Sequence, residues 1–121
     1  MSDKTFNLQS KYFLLIKEGK KIVEGRLNIG KFKNMIKGDI ITVCLSSEGG
    51  SQDLKEESFK VEILRNRAYK NFEEMLENEG LQNVLPGCDN LDNGVKIYYN
   101  IADYKENETK FGVVGLQLKK I

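Results

Sequence analysis

The stretch Gly19-Lys20-Lys21-Ile22-Val23-Glu24-Gly25-Arg26 joins two different periodicities. Upstream of it, from about Ser10 to Glu18, Tyr12, Phe13, Leu15 and Ile16 fall on one face at helical spacing, and Gly19 supplies a C-terminal cap. Downstream the period becomes two. From Lys21 to Leu27, Ile22, Glu24 and Arg26 share one face of an extended strand while Val23, Gly25 and Leu27 share the other. A carboxylate and a guanidinium therefore project side by side. Lys21 has the opposite parity and joins them only if the chain turns between Gly19 and Lys21, which a glycine permits.

Outward from this unit the chain continues as an α+β pattern. A basic loop spans Lys31 to Lys37, and Gly38-Asp39 marks a turn into the β-rich run Ile40-Ile41-Thr42-Val43-Cys44-Leu45. Ser46 to Glu57 reads as a polar, glycine-bearing loop. Phe59, Val61 and Ile63 then alternate with Lys60, Glu62 and Leu64, a strand with one face on a core that continues toward Arg67. Asn71 with Glu74 forms a variant capping box ahead of a helix carrying Phe72, Met75 and Leu76, and Gly80 ends it. After the Pro86-Gly87 turn a third helix is expected from about Asn90 to Tyr104, and Val113, Val114, Leu116 and Leu118 make a closing strand. Four or more strands interrupted by three helices, without regular βαβ alternation, argue against a doubly wound parallel sheet. A small closed or nearly closed barrel leaves few exposed edges, with Ile41, Val43, Val61, Ile63, Val114 and Leu116 in its core.

At 121 residues the chain is expected to form one domain over 1–121, and 40% hydrophobic with 31% charged residues is an ordinary globular composition. The 19 basic and 18 acidic residues leave a net charge of +1, so no bulk field attracts duplex nucleic acid or an anionic membrane. Cys44 and Cys88 lack the short paired spacing of a zinc site, and neither is read as a ligand. No secretory segment or apolar run of membrane-crossing length is present, so a cytoplasmic protein with no membrane, metal or cofactor requirement is expected. The chain contains no histidine, which excludes Ser-His-Asp and Cys-His chemistry. Any cofactor-free catalysis must use a carboxylate, a lysine of shifted pKa, a tyrosine or a cysteine.

Gly19, Lys21, Glu24 and Arg26 resemble the signature of the ASCH family, Gly-x-Lys-x-x-Glu-x-Arg, with every specified position present. The run Lys37-Gly38-Asp39-Ile40-Ile41 is similar to the family's entry into its second strand, as are Phe72-Glu73-Glu74-Met75-Leu76, Glu79-Gly80-Leu81 and Asn83-Val84-Leu85-Pro86-Gly87 to later family segments. The resemblance implies a PUA-like small β-barrel of about five to six strands flanked by about three helices. It also implies a cleft beside the signature that takes RNA or a nucleoside-like small molecule. One branch of the family hydrolyses the amide of N4-acetylcytidine, with the signature lysine as nucleophile or base, a threonine where this chain has Glu24, and an acidic residue near the end of the following long helix. Carried over, these roles fall on Lys21, Glu24 and either Glu77 or Glu79, of which Glu79 is preferred.

Glu24 alters that chemistry. A lysine attacks an acyl carbon only after losing its proton, and although Lys20 and Arg26 favour that loss by repulsion, a neighbouring carboxylate stabilises the ammonium. Lys21, Glu24 and Arg26 with Lys20 thus suit gripping a polar ligand: a carboxylate accepts from the exocyclic amine of cytosine, and a guanidinium donates to its O2 and N3. Lys31 and Lys33, interleaved with Phe32, resemble a phosphate-contacting loop, and Arg65, Arg67 and Tyr69 could line the same cleft. Each set also has a plain reading: a solvated strand edge with one ion pair, a solvated loop, and ordinary surface residues. Tyr98 reads as core and Tyr99 as its partly exposed neighbour.

Overall fold

A computed structural model describes residues 4–45 and 58–121; the Ser46 to Glu57 loop lies outside the described residues. Among the described residues the strands are β1 (Thr5–Leu8), β2 (Val23–Leu27), β3 (Ile40–Leu45), β4 (Ser58–Tyr69) and β5 (Val113–Lys120). They form one sheet in the order β1-β3-β4-β5-β2, with β1 parallel to β3 and every other pair antiparallel. The long β4 curls it. Its first half, Ser58 to Glu62, pairs with β3, its residues from Val61 onward pair with β5, and the register shifts between Ile63 and Arg65. A bulge there bends the strand and increases its twist, giving an α+β half-barrel open between the edge strands β1 and β2.

Alternation along the strands divides the apolar residues between two cores. Ile41, Val43, Val61, Ile63, Val114 and Leu116 point into the curl and are at most 1% exposed, as their spacing predicts, and Phe13 and Ile16 of α1 (Ser10–Lys17) cover them. The opposite residues, Val23, Leu27 and Val113, meet Phe72, Met75 and Leu76 of α3 (Phe72–Glu79) and Tyr98 of α5 (Leu91–Tyr99). Burying each of these large side chains contributes about 1.5–3 kcal/mol before chain entropy is counted. Asn71 caps α3 as expected, its side chain accepting from the Glu74 amide at 2.7 Å.

The structure departs from the sequence reading in its short elements. β1 was not foreseen, β2 begins at Val23, and the basic loop contains the single turn α2 (Gly30–Lys33). Another turn, α4 (Leu81–Val84), follows Gly80; the expected third helix, from about Asn90 to Tyr104, ends at Tyr99 as α5, and α6 (Tyr104–Phe111) was not foreseen, bringing the helices to six among the described residues. The break falls at Asp103, which adopts φ +70°, a left-handed conformation that aspartate tolerates better than most residues. Its physical reason is a buried carboxylate. Glu108 accepts from the Tyr99 hydroxyl at 2.6 Å and from the Phe72 amide at 2.7 Å, at the orphan N-terminal end of α3. In one continuous helix Tyr99 and Glu108 would stand about 13 Å apart along the axis, out of reach.

Glu108→Ala should therefore lower stability by about 1–3 kcal/mol, because it strands the Phe72 amide and the Tyr99 hydroxyl together. Urea unfolding checks this, and a midpoint equal to the parent's would show that the carboxylate does not hold α6 to α3.

Candidate functional site

The opening between the two sheet edges is a cleft of about 520 Å³. β1 contributes Asn7 and Leu8, β2 contributes Glu24, Gly25 and Arg26, and Tyr12 of α1 lies between them with Lys21. The α5–α6 turn covers the opening with Tyr98, Asn100, Ile101 and Tyr104. Tyrosine rings thus form the walls, while the charged groups lie at the base.

Those charges form a chain. Glu24 receives Lys21 Nζ at 3.2 Å on one carboxylate oxygen and Arg26 Nε at 2.6 Å on the other. Lys21 reaches it because the chain turns before the strand begins: Gly19 adopts φ +79°, and the amides of Lys20 and Lys21 both bond the Leu15 carbonyl. Lys21 also donates to the carbonyls of Val23 and Val84, so each of its three N–H bonds has an acceptor. Its side chain is 2% exposed. The Arg26 guanidinium packs 4.7 Å from the Phe32 ring and 5.5 Å from Phe6. Phe32 is held there because Asn66 of β4 donates to the carbonyls of Phe32 and Met35 at 3.0 and 2.7 Å.

Burial and pairing compete at every member. Burial acts to raise the Glu24 pKa, but Lys21 and Arg26 outweigh it and hold the carboxyl below its ordinary value. Burial also depresses the Lys21 ammonium, and there it prevails over the opposing pull of Glu24. At Arg26 the carboxylate overcomes desolvation and strengthens the positive form. Desolvation raises the phenols of Tyr12, Tyr98 and Tyr104, so all three keep their protons at neutral pH.

Other residues singled out in the sequence lie elsewhere. Lys20 is exposed and pairs with Glu18 at 3.4 Å. Lys31 is exposed, 3.3 Å from the Thr5 hydroxyl and 5.4 Å from the Phe32 ring, and Lys33 is exposed on the same short helix. Glu79 is buried but has other partners than Lys21: it accepts from Arg65 and, at 2.6 Å, from the Tyr69 hydroxyl. It occupies the α3 side of the sheet beside Gly115, whereas Lys21 is paired to Glu24. Arg67 is exposed near Tyr69, and Glu77 is exposed. Tyr98 is core as expected and also lines the cleft. Tyr104 and Asn7 carried no sequence signal, since only the broken helix and the unforeseen β1 bring them to the opening.

The ASCH domain family model matches residues 6–121, and the chain belongs to that family. The crystal structure of the hypothetical Pyrococcus protein PH0355 is 42% identical, covers 97% of each chain and superposes with a TM-score of 0.80. The solution structure of protein PF0455 from Pyrococcus furiosus is 35% identical over 99% of this chain and 98% of its own, with a TM-score of 0.73. No curated protein matches the chain. Among the described residues no helix is long and apolar enough to cross a membrane, and no cluster of acidic or cysteine side chains could hold a metal ion.

The direction of the Glu24 shift sets a pH dependence. A carboxylate whose pKa is lower folded than unfolded stabilises the protein above the ordinary carboxylate range, and that contribution is lost as pH falls through the lowered value. Glu24→Gln leaves Lys21 and Arg26 buried without their counter-charge and should cost about 3–5 kcal/mol at neutral pH. In urea midpoints taken down to about pH 3, the gap between parent and variant should narrow. A gap that stays constant would show that Glu24 does not carry the acid limb.

Proposed function

We propose that the protein binds RNA or a modified nucleoside, seating a base in the cleft between β1 and β2. The observation that carries this reading is the saturation of Lys21, whose ammonium is fully used by Glu24 and two backbone carbonyls. A lysine in that position organises the site. It has no lone pair to direct at an acyl carbon unless it loses a proton and abandons an acceptor. The groups that face a ligand are the terminal nitrogens of Arg26, which also interact with the Tyr104 phenol, the lone pairs of Glu24 not used by the cations, and the phenols of Tyr12 and Tyr98. Such a set matches a pyrimidine edge that presents both donors and acceptors, and aromatic walls suit an unstacked base. The solvated cations Lys31 and Lys33 would add a screened attraction for a phosphate.

Hydrolysis of an acylated base such as N4-acetylcytidine is the second reading, with Lys21 as nucleophile or base, and it is favoured by the burial that depresses the Lys21 pKa. Incubation with N4-acetylcytidine, followed for released cytidine, separates the two. Turnover by the parent would make Lys21 the catalyst. Deacetylation gained only on Glu24→Thr, which removes the carboxylate and installs the hydroxyl of the hydrolytic branch, would support binding as the natural role.

Arg26→Ala should weaken single-stranded RNA or cytidine binding more than Lys31→Ala does. The first removes directed contacts and leaves one Glu24 oxygen without its cation, a loss of about 1–3 kcal/mol or roughly 5- to 150-fold that persists at high salt. The second removes a point charge and should chiefly flatten the salt dependence. Filter-binding titrations at two salt concentrations measure both, and equal deficits would sink the assignment of Arg26.

A further inference from the structure

The position between Glu24 and Arg26 holds a glycine, although the family signature leaves it unspecified. Gly25 of β2 stands directly opposite Gly115 of β5. Gly25 has none of the positive φ that favours glycine elsewhere in the chain, so what it supplies is space. A methyl group built there would lie 2.5 Å from Met75 Cε and 2.7 Å from the Tyr98 hydroxyl oxygen, closer than real carbons approach. Met75 ends in a flexible thioether and can swing aside. Tyr98 is confined: its ring stacks on Phe72 with centroids 4.2 Å apart and planes within 7°, and Phe72 stacks in parallel with Tyr104 at 5.7 Å. The ring cannot retreat without breaking that stack. Its hydroxyl therefore rests against the β2 backbone at Gly25, on the face of the strand opposite the side chains of Glu24 and Arg26, and in the lining of the cleft.

We propose that Gly25 and Tyr98 form a specificity-determining pair, in which the absent side chain at Gly25 seats the Tyr98 hydroxyl at the base of the cleft to read a polar group of the ligand. The inference rests on the reading of the cleft as a nucleobase site. A phenol both donates and accepts, so it can meet an amino or a carbonyl group, and a site built around a fixed hydroxyl penalises ligands that leave it unpaired. Glu24 and Arg26 line the same cleft from the other face of this edge strand, so a ligand seated there meets the phenol and the ion pair from two sides of β2.

The test measures affinities of the parent, Tyr98→Phe, Gly25→Ala and the double variant for cytidine, uridine and N4-acetylcytidine by calorimetry, beside a melting temperature for each. The parent should discriminate among the three nucleosides. Tyr98→Phe should narrow that discrimination about tenfold while melting close to the parent, because the ring stack survives. Gly25→Ala should narrow it similarly and melt lower. The double variant should discriminate no worse than Tyr98→Phe and recover part of the lost melting temperature, since the clashing oxygen is gone. Unchanged discrimination in Tyr98→Phe, a parent that binds all three alike, additive losses, or no recovery in the double variant would each overturn the pairing while leaving the binding reading intact. A parent that binds none of the three nucleosides would overturn both.

Discussion

Glu24 points into the curl of the sheet from an edge strand, and a carboxylate at that depth is tolerable only if cations and hydrogen bonds replace the water it has lost. Much of the surrounding architecture follows from that requirement. Lys21 must leave the strand to reach it, so the chain turns at Gly19 and β2 starts late. The same ammonium bonds the Val84 carbonyl, which fastens the end of α4 to the entry of β2. The Ile22 amide, bonded to the Asn83 carbonyl at 3.0 Å, reinforces that junction. On the other side Arg26 is held over Phe32 and Phe6, linking α2 and β1 to the same carboxylate. Three separate segments, β1, α2 and α4, thus converge on one ion-paired side chain.

This convergence occurs where the sheet fails to close. A half-barrel ends in two strand edges, each a row of unpaired backbone groups that invites non-native pairing. Here the edges face a cleft roofed by the α5–α6 turn and walled by tyrosines. Helix α3 can lie close behind β2 because Gly25 and Gly115 oppose each other, and its two ends are tied by different carboxylates. Glu108 binds the Phe72 amide at the start, while Glu79, at the far end, is held by Arg65 and Tyr69 of β4. Of the acidic residues buried among the described residues, Glu24 faces the cleft, whereas Glu79 and Glu108 serve the packing of α3.

What could be read from the sequence was what local periodicity encodes. Alternation in β4 and the apolar runs of β3 and β5 identified the inner core, and the spacing of Asn71 and Glu74 marked the start of α3. β1 escaped because Thr5-Phe6-Asn7-Leu8 is short and is stabilised by parallel pairing to β3, a partner more than thirty residues away. The break between α5 and α6 has neither glycine nor proline to announce it; it exists because Glu108 must reach back to Tyr99 and Phe72. In the site, the shared face of Glu24 and Arg26 was legible, and the lysine's approach was conditional on a turn that the structure supplies. The partners of Glu79 were not legible, because the side of the sheet on which α3 docks decides them.

The charge states at the opening narrow the chemistry further. With no histidine in the chain, proton transfer near neutrality would fall to groups with shifted pKa values, and most of those lining the cleft are shifted away from neutrality. The phenols are raised, Glu24 is lowered and Arg26 is raised, so each holds one protonation state across the physiological range. Lys21 alone is displaced toward neutrality, and it is the group whose hydrogen bonds are already committed to the fold. If it gave up its proton, it would lose its attraction for Glu24 together with one of its three acceptors, and the junction of α4 with β2 would loosen. Apart from Lys21, the cleft thus offers groups of fixed protonation, phenols on its walls and a paired carboxylate at its base, and this is what supports the proposed recognition of a polar ring over proton exchange with it.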